Sequence, residues 1–189
     1  MIHTLLYVLS AVLSIAGSLP YIRDILRRQT KPRFFSWLNW TILTAIGTAA
    51  ALSAHQYASA ILTGATTVAT GTVVVLGLFY GDRKIARADI MCQIAALIGL
   101  ALWWLFNSPV VALAASVLID FTVAIPTYVH AWRQPGEETI ATYIMAAAAA
   151  LCGILAVRHP ALSGYLFPVY LSISDSTVVA LLAFSPRRK

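Results

Sequence analysis

The stretch from Leu19 to Trp37, LPYIRDILRRQTKPRFFSW, returns in altered form at residues 125–143 as IPTYVHAWRQPGEETIATY. In both, a proline sits near the end of an apolar run. A polar or basic loop follows, and a hydroxyl residue next to an aromatic opens the next apolar run. Pro20 and Pro126 are 106 positions apart. At that shift Arg27 falls on Arg133, Ser36 on Thr142 and Trp37 on Tyr143. Ser10 falls on Ser116, and Ser14 on Asp120. Further on the shift becomes 105: Thr72-Val73-Val74 matches Thr177-Val178-Val179, and Arg83-Lys84 matches Arg188-Lys189. One residue of slippage in a loop accounts for the change. The chain therefore reads as an internal repeat.

The solvent around that repeat follows from composition. The 189 residues are 60% hydrophobic and only 11% charged, where a soluble domain carries about a quarter charged residues. A chain this poor in charge cannot cover a globular surface with solvated groups. A bilayer-spanning helix needs roughly 20 mostly apolar residues. Seven such runs are present: Ile2–Ile22, Phe34–Ala54, Ala58–Tyr80, Ile90–Phe106, Val110–Val129, Ile140–Val157 and Leu166–Phe184. They do not alternate as the strands of a membrane barrel would. The expected fold is an all-α membrane protein with seven transmembrane helices. Residues 1–84 form one three-helix repeat and 109–189 a second, parallel one. A linker helix within 85–108 joins them and restores the starting side. Small residues such as the alanine run 146–150, Gly47, Gly64 and Gly71 suit close helix packing in lipid. The start Met1-Ile2-His3-Thr4 lacks a basic n-region, so the first run reads as a retained helix.

Charge placement gives direction. Twelve of the 13 Lys and Arg lie on the first, third and fifth connections or on the tail, and Arg158 alone falls on the other side. Basic residues stay cytoplasmic during insertion. The expected topology is N-terminus outside and C-terminus cytoplasmic, in a bacterial inner membrane. Topology accounts for the net charge of +6 without nucleic acid as a partner.

The proline, basic loop and Ser-plus-aromatic sequence resembles the PQ-loop/SWEET superfamily, which includes the single-repeat SemiSWEETs, over nearly the whole chain. SWEET proteins share the three-one-three plan and the N-out direction. The related PnuC-type carriers share the plan and run the other way. The resemblance implies transport, with the prolines as hinges and the first and third helices of each half as neighbours. Tyr21 and Thr127 stand where the glutamine that names the loop would be. The Trp and Asn of the SemiSWEET sugar pocket have no counterparts near Gly47, Thr63, Gly153 or Tyr170. The fold is thus better supported than sugar as the substrate.

Polar residues inside the apolar runs mark the candidate site. Ser116, Asp120 and Thr127 share one helix face, as do Ser10, Ser14 and Ser18 in the matching run. Ser172, Asp175 and Ser176 form a face on the last helix, and Thr63, Thr66, Thr67 and Thr70 occupy the equivalent place in the first half. An ionisable residue at this depth faces a cavity or a partner. Asp120 and Asp175 are expected to carry a proton or to balance a cationic substrate, unless each is a protonated structural acid. Ser14 and Thr70 are their counterparts in the first half. Trp40 with Asn39 is the candidate inner gate, and Tyr170 the candidate pocket residue. Pro20 and Pro126 either hinge their helices or end them. Cys92 and Cys152 sit inside helices as packing residues, and no His is spaced as a metal ligand.

The expected function is a small-solute transporter working by alternating access, with a sugar or another small polar or cationic metabolite as substrate. It needs no cofactor and acts as a monomer or homo-oligomer. The alternative is a seven-helix receptor or sensor. A retinal protein is disfavoured, because Lys31, Lys84 and Lys189 all lie at helix ends. An intramembrane aspartyl protease lacks any accompanying motif, so the chain is not read as an enzyme.

Overall fold

The computed structural model describes residues 2–53, 57–83, 85, 109–157 and 162–186, with scattered positions between 90 and 105. The described part is all-helical. Its helices are α1 (Ile2–Leu26), α2 (Phe34–Ser53), α3 (Tyr57–Tyr80), α4 (Pro109–Arg133), α5 (Ile140–Ala156) and α6 (Leu162–Phe184). A single 3-10 turn, Pro135–Glu137, sits between α4 and α5. Among the described residues, four segments are long and apolar enough to cross a membrane: Ile2–Leu26, Thr63–Tyr80, Ala114–Arg133 and Tyr165–Phe184. The α5 helix is apolar but shorter, at 17 residues.

Most of the expected linker span Ile90–Phe106 lies outside the described residues. Its described positions are helical, and Met91, Leu97, Trp104 and Leu105 are exposed there. Several helices run further than the apolar runs do. The α1 helix continues through Pro20 to Leu26, and α4 continues through Pro126 to Arg133. The reading in which these prolines end their helices is overturned. A proline costs one backbone hydrogen bond, yet packed neighbours sustain the helix beyond it. The α6 helix begins at Leu162 and also carries a proline, Pro168.

The packing order is simple. In residues 2–80, α3 lies against both α1 and α2. In residues 109–184, α6 lies against both α4 and α5. Between these groups α1 packs extensively on α5, and α2 makes a smaller contact with α4. Buried Tyr21, Ile25, Trp37 and Val73 form one apolar cluster, and Ala131, Tyr143, Val178 and Leu182 form another. A third, of Ile119 and Val123 against Trp40 and Leu43, fills the α2–α4 contact. Large apolar side chains point outward on most helices, among them Leu5, Val12, Val68, Phe79, Leu118 and Phe184. Water would not tolerate so much exposed apolar surface on a monomer, and lipid does.

The connection after α1 is tightly built. Arg28 adopts a left-handed backbone at φ 59°. Gln29 N–H reaches the Asp24 carbonyl at 2.8 Å, and Arg28 N–H reaches Ile25 at 2.9 Å. This is a Schellman ending, usually made by glycine. Here the Arg28 guanidinium lies 5.9 Å over the Tyr80 ring, a contact glycine could not supply. A parallel bridge then ties Arg33 to Asp82: Phe34 N–H bonds the Asp82 carbonyl and Asp82 N–H bonds the Pro32 carbonyl, each at 3.0 Å. The α1–α2 loop is thereby pinned to the end of α3.

Candidate functional site

The residues between α2, α4 and α6 form a polar cluster inside the bundle. Asp120 is buried at 5% exposure, on the inner face of α4 beside Ile119 and Val123. The donors that face its carboxyl are the Trp40 indole from α2 and the Tyr170 phenol from α6. The Tyr170 hydroxyl is buried, and Asp120, Ser174 and Tyr128 are the polar groups around it. Next to it the Tyr128 hydroxyl pairs with Ser174 Oγ at 2.7 Å. Asp175 is half-buried on α6. It is close enough to Asp120 for the two carboxyls to act on each other electrostatically, and Tyr128 feels both. Trp40 packs against Trp37, edge to face at 5.1 Å, and Trp37 in turn packs on Tyr21 at 4.8 Å with the rings tilted by 43°.

Four of the residues singled out in the sequence are therefore brought together: Asp120, Asp175, Tyr170 and Trp40. Asn39 is buried one position before Trp40 and engaged with its surroundings. Ser14 is half-buried on α1. Thr70 turns back on its own helix, donating to the Thr66 carbonyl at 2.9 Å. Neither Ser14 nor Thr70 is among the groups bordering the two carboxyls. Ser172 and Ser176 line an outward groove with Trp132 and Ile173 instead of the Asp120 cluster. Pro20 is half-buried and Pro126 buried, both within continuous helices. Cys152 is a half-buried free thiol, and the side chain of Cys92 lies outside the described residues. Among the described residues, no three His, Cys, Asp or Glu side chains gather as metal ligands.

A second polar cluster, which no motif announced, closes the loop end of the bundle. The Glu138 side chain is 3% exposed. Tyr143 donates its hydroxyl hydrogen to Glu138 Oε2 at 2.9 Å, and the Tyr21 hydroxyl lies on the same carboxyl. The Trp37 indole N–H reaches the Tyr21 hydroxyl at 3.3 Å. Burial pushes the Glu138 carboxyl up to about 7. The tyrosine hydroxyls oppose the rise, Glu137 adds to it, and Arg33 opposes it more weakly. Beside it Thr139 Oγ1 donates to Asp24 Oδ2 at 2.9 Å and pairs with Thr30 Oγ1 at 3.0 Å. Arg23 covers the other Asp24 oxygen at 2.9 Å. An acid in a polar loop such as Pro135-Gly136-Glu137-Glu138 ordinarily faces water. The Tyr143 hydroxyl from the helix that follows and the Tyr21 hydroxyl from distant α1 meet Glu138 inside the bundle.

Compared with protein-family models, with curated proteins and with solved structures, the chain matches none.

Proposed function

We propose that this chain is a small-solute transporter of the PQ-loop/SWEET kind. It would cross the bilayer seven times as two parallel three-helix repeats joined by a linker helix. The N-terminus would lie outside and the C-terminus in the cytoplasm of a bacterial inner membrane. The single observation that carries the functional reading is Asp120 meeting Trp40 across the α2–α4 contact. An acid from one half and an aromatic from the other share one buried site, where a transporter built from repeats binds its solute.

The two apolar clusters support the repeat. At the shifts found in the sequence, Ile25 corresponds to Ala131, Trp37 to Tyr143 and Val73 to Val178, and all six are buried cluster members. Ile22, Val74 and Leu76 correspond to Tyr128, Val179 and Leu181, which flank the same clusters. Ser36 and Thr142 correspond as well, and both carry a buried hydroxyl without a partner. The cross-packing agrees, because α1 meets the second helix of the other half and α4 meets the second helix of the first.

In this reading Asp120 and Asp175 accept the proton or cationic group that moves with the solute. Tyr170 and Tyr128 offer hydroxyls to its polar atoms, and Trp40 offers a π face. The gate is Trp40 on the Trp37–Tyr21 pair, with Asn39 beside it. Pro20 and Pro126 bend α1 and α4 as the cavity changes sides. A thermal-shift screen of sugars, vitamins, amino acids and amines identifies the ligand, since a solute that binds the folded protein raises its melting point. Uptake of that ligand into proteoliposomes, with and without a pH gradient, then tests transport. Asp120→Asn and Asp175→Asn are each expected to lower uptake at least tenfold. Unchanged uptake in both variants removes the carboxyls from the site. A ligand that raises the melting point and never crosses the membrane supports the sensor reading instead.

A further inference from the structure

A cavity of about 360 Å³ opens at the loop end of the bundle, between the end of the α1–α2 loop and the last turns of α4. Arg33, His130, Arg133 and Gln134 line its polar part, and Ile125, Pro126 and Val129 its apolar part. No acidic residue is among these seven. Glu137 borders the cavity, 3.6 Å from His130 Nε2 and 3.7 Å from Lys31 Nζ, the Asp82 backbone is bridged to that of Arg33, and Glu138 is bonded to Tyr143.

The apolar part continues onto the outer surface. Leu118, Phe121, Ile125 and Val129 follow one another at helical spacing on α4, and all four are exposed, Ile125 at 43% and Val129 at 44%. They form a stripe along the outside of the helix that ends at the basic cavity. A pocket of basic side chains at the end of an apolar, lipid-facing stripe has the two-part chemistry of a phospholipid: a phosphate head on guanidinium donors and acyl chains on hydrocarbon.

We propose that this cavity binds the phosphate of an anionic phospholipid. Arg33 and Arg133 supply the positive charge, Gln134 a further donor, and the stripe from Val129 to Leu118 the bed for an acyl chain. Arg33 belongs to the loop between α1 and α2, and Arg133 to the end of α4, so the lipid bridges the two groups of helices beside Pro126. The site depends on the chain lying in a membrane and is independent of transport.

The test uses the full chain purified and held in phosphatidylcholine. Short-chain phosphatidylglycerol, short-chain phosphatidylcholine and inorganic phosphate are titrated separately. Native mass spectrometry reads bound lipid and thermal unfolding reads stabilisation. Phosphatidylglycerol is expected to bind at least about tenfold more tightly than phosphatidylcholine. At about fivefold per basic group, Arg133→Gln lowers that preference about fivefold, and Arg33→Gln with Arg133→Gln abolishes it. Arg27→Gln, at an exposed position that does not line the cavity, leaves it unchanged. Arg133 is itself exposed at the helix end, so Arg133→Gln keeps the fold and is the deciding variant. Equal binding of the two lipids overturns the proposal, as does an Arg133→Gln preference within twofold of the parent. Inorganic phosphate binding as tightly as phosphatidylglycerol assigns the cavity to a soluble anion and overturns the lipid assignment.

Discussion

Ser10 donates its hydroxyl hydrogen to the carbonyl of Ala149 at 2.8 Å, inside the contact between α1 and α5. The same contact repeats along α1 in steps of seven. His3 Nδ1 meets the Ala156 carbonyl at 3.1 Å, Gly17 abuts Thr142 and Met145, and Asp24 takes the Thr139 hydroxyl. The partners run backwards along the chain, so the two helices are antiparallel. A strict seven-residue seam is the pattern of coiled-coil packing, made here from small and polar residues that let backbones approach. The α2–α4 contact is of another kind, with Trp40 and Leu43 set against Ile119 and Val123. One side of the bundle is a close backbone seam. The other is a smaller contact made by side chains.

The seam is expected to be sensitive to volume. A Cβ on Gly17 would lie 3.0 Å from the Met145 Cβ. Gly17→Ala forces a shift of a few tenths of an ångström, and Gly17→Leu separates the helices. Overpacking of this sort costs about 1–3 kcal/mol, so Gly17→Leu lowers the unfolding temperature clearly and Gly17→Ala only slightly. Ser10→Ala removes a hydroxyl bond of the kind that averages about 0.6 kcal/mol in membrane bundles. A Gly17→Leu protein as stable as its parent in detergent would show that α1 and α5 do not meet there.

Gly81 is more tightly enclosed than Gly17. Its Cβ would stand 2.6 Å from the Pro32 carbonyl and 2.7 Å from that of Gly77, both of them backbone atoms. Gly81→Ala therefore has to displace the Pro32–Asp82 bridge, at about 1–3 kcal/mol. Gly136, with nothing within 4 Å of its Cβ position, is the control. Comparing the thermal unfolding of Gly81→Ala and Gly136→Ala checks this, and equal stability of the two variants would contradict the bridge.

Helical character, and the nearness of Asp120 to Asp175, were legible in the sequence because they rest on periodicity and on rare polar residues, whereas the meeting of Tyr170 with Asp120 was not. An acid in an apolar run stands out, and residues 120 and 175 did. The paths of α1 and α4 beyond Pro20 and Pro126 were not legible. A proline signals a break locally, and only neighbouring helices decide whether the helix goes on. Glu138 was hidden for a similar reason. Its burial depends on Tyr21, which is 117 residues away in the chain, and on the turn Pro135–Glu137 that directs it inward. Ser14 and Thr70 were inferred from the repeat alone. Equivalence by repeat places residues in matching surroundings and does not bring them to one site.

The prolines themselves are testable. A proline leaves the carbonyl four residues earlier without its helical N–H, which is Ala16 for Pro20 and Thr122 for Pro126. Pro20→Ala and Pro126→Ala restore that bond and stiffen the helix. Both variants are expected to unfold at a higher temperature and to transport more slowly at saturating solute. Stiffer helices with undiminished turnover would end the hinge assignment.

Glu138 gives a pH dependence whose sign is fixed. Its carboxyl ordinarily titrates at 4.5 and is raised to about 7 in the folded protein. Between those values the folded chain holds a proton that the unfolded chain has lost, so stability falls as pH rises. The contribution is fully present below about pH 4.5 and is lost as pH passes through about 7, with a ceiling of roughly 3 kcal/mol. Several groups share this end of the bundle. Tyr143 and Tyr21 donate to the carboxyl, Glu137 and Arg33 act on it from opposite directions, and His130 Nε2 lies 3.9 Å away. Because the carboxylates inside the bundle also titrate, the informative quantity is the difference between the parent and Glu138→Gln. Glutamine keeps an acceptor for the Tyr143 hydroxyl and cannot ionise. The variant is therefore expected to match the parent near pH 5 and to exceed it at pH 8, measured as thermal unfolding in one detergent across that range. A Glu138→Gln protein that loses stability toward pH 8 as steeply as the parent would place the titrating group elsewhere. Glu138 would then be only a hydrogen-bonded cap on Tyr143.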